Sequence, residues 1–231
     1  MVESAMPKVL RVGLIFGGRS GEHEVSLLSA QGVMNAIDTA KYQVVPIGIT
    51  KEGRWLASGD PMKALSSGVT AESTFAALLA EPTQRGLMRL EEREQALAAT
   101  QVSQLDVIFP ILHGPYGEDG TVQGLLELAG LPYVGAGVTA SAVGMDKALF
   151  KDIMRAHGLP VAPDLIIKRK AWEQDPEATV AQVEEKLGYD CFVKPANLGS
   201  SVGISKAHNR DELRAALDEA ARYDRKLVVE V

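Results

Sequence analysis

Val9-Leu10-Arg11-Val12-Gly13-Leu14-Ile15-Phe16-Gly17-Gly18 carries the reading that decides the fold. A short apolar run closed by two glycines is the pattern of a buried strand delivered into a turn. Downstream, Val25, Leu28, Gly32 and Ala36 recur at i, i+3, i+7 and i+11, which predicts a helix presenting that face to the core. Tyr42 to Ile49 then reads as a second strand and completes a β-α-β unit. Farther out, Asp106 to Leu112 is another apolar run, bounded by His113-Gly114-Pro115. Val122, Leu125, Leu126 and Ala129 mark the next helix, stopped by Gly130 with Pro132 beyond it. Such alternation predicts a mostly parallel sheet covered by helices.

From Thr50 to Gln104 the signal weakens. Trp55 fits a short strand, Ser58 to Gly68 is rich in Gly, Ser and Pro, and Gln84 to Thr100 is charged, with Gly86 to Leu90 a strand candidate. The region reads as a peripheral insertion without chemistry. A second unit begins near Thr139. Phe150, Ile153, Met154 and His157 give a helix ending at Gly158-Leu159-Pro160, followed by a strand at Asp164 to Lys168. A helix carries Val180, Val183 and Leu187 on one face, and strands are expected at Asp190 to Lys194 and Val202 to Lys206. An amphipathic helix over Asp211 to Ala221 and a strand from Lys226 to Val231 complete it. Pairing across Asn197 to Ser201 suggests a hairpin, so this unit is α+β rather than doubly wound. A sheet strand is a poor natural terminus, which leads to the expectation that more chain follows Val231.

Composition narrows the class. Hydrophobic residues form 46% and charged residues 23% of the 231, an ordinary globular balance. A formal net charge of −6 argues against a nucleic-acid binder, whose footprint would be basic. One cysteine, Cys191, excludes an intrachain disulfide and fits a reducing compartment. Its place in a strand marks it as a buried structural thiol rather than a nucleophile. Met1 to Lys8 lacks the apolar segment of a signal peptide, and no stretch reaches the length of a membrane span, so the chain reads as cytoplasmic with no membrane partner.

Four segments can carry chemistry. Gly17 to Ser26 is a Gly-rich strand-to-helix turn, where a ligand can approach backbone N–H groups. It is equally readable as a tight structural turn with Ser20 as N-cap and Glu22 to Glu24 favouring the helix dipole. It is not G-x-G-x-x-G, so no dinucleotide fingerprint is present. Leu112 to Thr121 again joins a strand to a helix, at the edge where open α/β sheets bind ligands. There His113 can serve a carboxylate, while Glu118 and Asp119 can simply cap the helix. Lys147 lies in Gly144-Met145-Asp146-Lys147, and Lys194 ends an apolar strand, where a buried ammonium needs an anion such as phosphate. Lys168, Lys170 and Lys206 read as solvated. Finally, Asn197-Leu198-Gly199-Ser200-Ser201-Val202-Gly203 is a flexible loop able to wrap oxyanions, or a plain hairpin loop. It lacks the P-loop pattern.

In this order and spacing, the segments resemble the D-alanine–D-alanine ligases over nearly the whole chain. The resemblance rests on Gly17 to Ser26, the His-Gly-Pro-Tyr-Gly-Glu-Asp-Gly-Thr-Val-Gln-Gly block from His113, Leu131 to Gly135 with Met145-Asp146-Lys147, and Val193-Lys194-Pro195 followed by Gly199 to Gly203. It implies an α/β N-terminal substrate-binding domain over residues 1–138, with a parallel sheet of the pre-ATP-grasp type. An α+β ATP-grasp central domain over 139–231 would follow, then a C-terminal domain not contained in this sequence. The γ-phosphate of ATP would pass to the carboxylate of a first D-alanine, and the amine of a second would displace phosphate from the resulting acylphosphate. A homodimer is the family expectation.

Carried over residue by residue, Glu22 resembles the acid that orients the first D-alanine through its ammonium. His113 resembles the histidine near that substrate's carboxylate. Lys147 and Lys194 resemble the phosphate-contacting lysines. Ser200 resembles the serine linked to Glu22 near the second substrate, with Ser201, Val202 and Gly203 completing a phosphate lid. Glu230 resembles the hinge acid that accepts from the adenine amino group. Some relatives have lysine where this sequence has Val231. The Mg2+ or Mn2+ ligands and the transition-state arginine of the family belong to the part beyond, so this stretch alone is expected not to turn over. The alternatives are a D-alanine–D-lactate ligase, which shares these segments, a non-catalytic nucleotide-binding protein, and a dehydrogenase-like protein disfavoured by the missing fingerprint.

Overall fold

A computed structural model describes residues 8–57, 59–68, 75–94 and 96–231. Met1 to Pro7, most of the start read for a signal segment, and Ser58 lie outside the described residues. The chain divides into two compact units, one ending at Val138 and one from Thr139 to Val231. The first contains, in chain order, β1 (Leu10–Gly17), α1 (His23–Ala36), β2 (Tyr42–Ile49), β3 (Trp55–Leu56), α2 (Pro61–Ser67), β4 (Phe75–Leu78), β5 (Gly86–Arg93), β6 (Ala96–Gln104), β7 (Val107–Leu112) and α3 (Thr121–Leu128). The second follows with α4 (Val138–Met145), α5 (Lys147–Ala156), β8 (Asp164–Lys168), α6 (Arg169–Gln174), α7 (Pro176–Lys186), β9 (Cys191–Pro195), β10 (Ser205–Ala207), α8 (Arg210–Tyr223) and β11 (Lys226–Glu230).

The first unit is built on one seven-stranded sheet in the order β6-β5-β4-β3-β2-β1-β7. β1 lies between β2 and β7, parallel to both. It is buried on both faces, with Leu14 and Phe16 packing with Leu27 and Ala30 of α1, and Ile15 joining Ile47, Ile108 and Leu126. Double burial explains a continuous apolar run without alternation. Only β2-β1-β7 is parallel; the expected parallel sheet is thus one end of a mixed one. From β2 outward to β6 every pairing is antiparallel. The stretch read as a peripheral insertion therefore extends the sheet. Its sequence hid this because β6 has almost no buried residue and so no alternation to read.

The face of α1 differs from expectation. Val25 and Leu28 are exposed, 49% and 75%, while His23, Ser26, Leu27 and Ala30 are buried. Two of these buried residues are polar and bond to backbone: His23 Nδ1 lies 2.8 Å from Gly18 O, and Ser26 Oγ accepts from Gly17 N at 2.8 Å and donates to Ile111 O. The inner face of α1 is spent on holding the turn and the neighbouring strand, and apolar periodicity misses it.

The second unit has a four-stranded antiparallel sheet, β10-β9-β11-β8, which makes it α+β as read. One face packs Cys191, Val193, Leu227 and Val229 against Val180 and Val183 of α7 and Leu213 and Leu217 of α8. Cys191 is fully buried, and burial pushes its thiol upward. The opposite face packs Val228 and Ile166 against Ala148 of α5. Lys194 is in register with Val228, and Glu230 with Asp164, so this face also carries the charged groups. Among the described residues, no helix is long and apolar enough to cross a membrane.

Candidate functional site

In the first unit, Gly17 and Leu112 are register partners, so both loops leave the sheet at the carboxyl ends of adjacent parallel strands. That is the edge at which open α/β sheets take ligands. Gly17 and Gly18 have φ of +87° and +99°, which turns the chain sharply out of β1. Ser20 does not cap α1; the N-cap is Glu22, with no side-chain cap bond. Instead Ser20 Oγ donates to His113 O at 2.6 Å and accepts from Glu22 N at 3.1 Å, tying one loop to the other. Arg19 stacks over the Tyr116 ring at 4.6 Å and adds a second tie.

The second loop is folded by its own acids. Glu118 accepts from Gly114 N at 2.8 Å, and Asp119 accepts from Tyr116 N at 2.9 Å and Thr121 N at 3.0 Å. His113 Nε2 lies 3.1 Å from Ser29 Oγ, in a contact whose donor depends on the tautomer. A Cβ at Gly114, where φ is +70°, would come within 2.5 Å of Glu22 Oε2. The Glu22 carboxylate thus lies over the backbone beside His113, and the two candidate residues come together. Beside them is a cavity of about 230 Å³ whose wall includes Arg19, His113 and Tyr116, but also Gly53 and Trp55. The last two come from the stretch expected to be without chemistry, and only the sheet extension brings them here.

In the second unit, Asp146 caps α5, accepting from Ala148 N and Leu149 N at 3.1 Å each, and also pairs with Lys226. Lys147 N donates to Ala196 O at 3.0 Å, and its ammonium donates to Leu198 O. The start of α5 is thereby fastened to the ends of β9 and β11, which brings Lys147 near Lys194. Burial, then the Lys194 charge, lower the Lys147 ammonium from its ordinary value, against Asp224, Glu230 and Asp146. Lys194 already has an anion: it pairs with Glu230 Oε1, a partner that sequence reading did not give it. Lys151, also missed, holds Glu230 Oε2 at 2.5 Å. Burial alone would raise the Glu230 carboxyl, but the hydrogen bonds and charges of Lys151 and Lys194 outweigh it and leave the group below the usual range. Lys147, Lys194 and Glu230 are therefore gathered on one sheet face.

The loop from Asn197 is anchored at both ends. Asn197 donates twice to Asp224 Oδ2, at 2.8 and 3.0 Å, and Gly203, with φ +69°, sits where a Cβ would be 2.7 Å from Tyr223 and 2.9 Å from Pro195. Between the anchors, Ser200, Ser201 and Val202 are exposed, and both serines are left-handed, at φ +46° and +60°. Non-glycine residues in that region store backbone strain of about 1–3 kcal/mol. Among the described residues, no three His, Cys, Asp or Glu side chains cluster to hold a metal ion.

The depressed carboxyls set a pH dependence. Glu230 and Asp146 both lie below their ordinary values of 4.5 and 3.8, so they bind protons more weakly folded than unfolded. Their contribution is complete above those values and is lost as the pH falls through the lower folded ones. Unfolding free energy of the second unit, measured by urea denaturation, should hold from about pH 7 to about pH 5 and fall below about pH 4. Lys226→Met should flatten part of that slope; a wild-type profile flat to about pH 3 contradicts it.

Residues 11–136 match the family described as D-ala D-ala ligase N-terminus, and residues 153–231 match D-ala D-ala ligase C-terminus. The D-alanine--D-alanine ligase of Natranaerobius thermophilus is 49% identical over 224 residues, covering 96% of this chain and 60% of that protein. That of Paenarthrobacter aurescens is 51% identical over 225 residues, covering 95% and 59%. Among solved structures, the VanG D-Ala:D-Ser ligase of Enterococcus faecalis superposes with a TM-score of 0.81 at 35% identity, over 96% of this chain and 62% of that one. The D-alanine-D-alanine ligase of Coxiella burnetii gives 0.78 at 33%, over 96% and 61%. The chain thus spans about 60% of the length of the curated relatives it matches. With both of its units matched in this way, the chain belongs to the D-alanine–D-alanine ligase family.

Proposed function

We propose that the protein carrying this sequence joins two D-alanines at the expense of ATP, supplying D-alanyl-D-alanine for peptidoglycan precursors. Residues 1–138 serve as the substrate-binding domain and 139–231 as the ATP-grasp central domain. Glu22 takes the ammonium of the first D-alanine and His113 stands near its carboxylate. Lys147 and Lys194 receive the triphosphate, Glu230 accepts from the adenine amino group, and Ser201, Val202 and Gly203 close over the phosphates. Ser200 serves the second substrate. Substrate carboxylate oxygen attacks the γ-phosphorus and ADP leaves; the second amine then attacks the acyl carbon, loses a proton and expels phosphate. The lysines assist by positioning and by offsetting charge as it moves to the leaving oxygen. Mg2+ or Mn2+, held by residues outside this sequence, would supply further charge.

The observation that supports this reading most is the gathering of Lys147, Lys194 and Glu230 on one face of the second sheet. Two neighbouring ammonium groups, one half-buried, favour a polyanion. The reading also carries a cytoplasmic location and a homodimer. The test is Glu22→Gln in the full-length protein. It should raise the KM for the first D-alanine about tenfold through loss of one charged hydrogen bond, with ATP affinity unchanged. Unaltered D-alanine kinetics contradict the role of Glu22. Product analysis with D-alanine against D-lactate settles the second substrate: preferential ester formation replaces the dipeptide reading.

A further inference from the structure

Glu230 and Asp164 face each other directly across the β11–β8 pair. Their side chains are largely buried, 16% and 3% exposed. Like charges directly opposite on neighbouring strands repel, so something must hold them there. That something is Lys151, one turn along α5 from Lys147. Its ammonium is 2.5 Å from Glu230 Oε2 and 3.8 Å from Asp164 Oδ1, and it donates to Ala162 O at 3.2 Å. Arg155, a further turn on, reaches Asp164 Oδ1 at 2.5 Å from the outside.

An ammonium has three protons to donate, and Lys151, 12% exposed, already faces three acceptors. It has none to spare for phosphate, unlike Lys147, whose ammonium donates to a loop carbonyl. The two oxygens of Glu230 are shared differently: Oε2 is held by Lys151, and Oε1 by Lys194. We infer that Lys151 is a positioning residue that sets base selectivity, keeping Glu230 ionised and aimed while Lys194 exchanges Oε1 for the triphosphate. This rests on the nucleotide reading given above. Once Lys194 leaves, Oε1 is open to a donor, and adenine offers its N6 amino group there. Guanine instead presents O6, an acceptor that a fixed carboxylate repels. Without Lys151, Glu230 would keep Lys194 as its partner or take up a proton, and in either case the preference for a donor-bearing base weakens.

The experiment measures equilibrium binding of ATP and GTP to the full-length protein carrying Lys151→Met, Lys151→Arg, Arg155→Met or Glu230→Gln. Expected for Lys151→Met is a loss of about tenfold in ATP affinity with GTP little changed, so that the ATP/GTP ratio falls. The acid limb of ATP binding should also move to higher pH, because the counter-charge that depresses the Glu230 carboxyl is gone. Lys151→Arg should restore the ratio. Arg155→Met, whose guanidinium pairs with Asp164 and Asp152 and not with Glu230, should lower thermal stability without moving the ratio. If Lys151→Met fails to fold, Lys151→Gln is judged by the same ratio. A lowered ratio in Glu230→Gln with an unmoved one in the Lys151 variants overturns this inference alone. An unmoved ratio and unchanged ATP affinity in Glu230→Gln overturns the hinge role of Glu230 as well.

Discussion

Lys194→Ala in the full-length protein is expected to weaken ATP binding by about two orders of magnitude while leaving adenosine binding intact. A hydrogen bond to a charged group is worth about 1.5–3 kcal/mol, which corresponds to about 10- to 150-fold in affinity. The phosphates should feel all of it. Adenosine has no phosphate for Lys194 to meet, and loss of the lysine leaves Glu230 Oε1 without its resident partner and open to the base. Affinity measured along adenosine, ADP and ATP should therefore fall progressively behind wild type as phosphates are added. The fold should survive, because Glu230 retains Lys151 and is not left as a lone buried charge. Val193 and Pro195 on either side stay buried, and a melting curve should keep a single cooperative transition. Equal loss for adenosine and ATP, or none for ATP, would show the lysine to be structural.

That outcome depends on a pairing that no sequence pattern announced. Lys194 stood out because an ammonium at the end of an apolar strand calls for an anion; the anion turned out to be Glu230, 36 residues later and brought close by antiparallel pairing. Lys151 was missed altogether. Its spacing of one helical turn from Lys147 puts both on one side of α5, but nothing local says that this side lies over two facing carboxylates. The loops were easier, since glycines at sharp turns after apolar strands mark themselves. What they bind to was not: Ser20 was readable as a helix cap and instead ties the loop to His113 O. The inner face of α1 was misplaced for a related reason, since polar His23 and Ser26 occupy it to hold backbone. The edge strand β6 stayed faint because a strand exposed to water along its length does not need alternation. In each case sequence recorded the side chain's chemistry, and long-range register decided its partner.

The turn after β1 offers the sharpest test of that coupling. Gly17→Ala is expected to destabilise the first unit by about 3 kcal/mol, whereas Gly21→Ala, four residues on, should be close to neutral. At Gly17 φ is +87°, a left-handed conformation that costs a residue with a Cβ about 1–2 kcal/mol. The added methyl would also run into Ile49 O, a backbone atom that cannot rotate away, with His23 Cε1 at 3.1 Å and Leu65 Cδ1 at 3.2 Å closing the other sides. Relieving that overlap means moving β1 from β2, at a cost typical of overpacking, about 1–3 kcal/mol. Ile49 O also accepts from Gly18 N at 2.8 Å, and Gly17 N donates to Ser26 Oγ, so the shift strains the bonds that hold the turn. At Gly21 nothing lies within 4 Å of a new Cβ, and φ is not positive. Thermal denaturation of both variants decides the matter, with a midpoint shift of about 10 °C expected for Gly17→Ala. Equal stability of the two would mean the turn tolerates a side chain, and that Glu22 and His113 are held by something other than the backbone path out of β1.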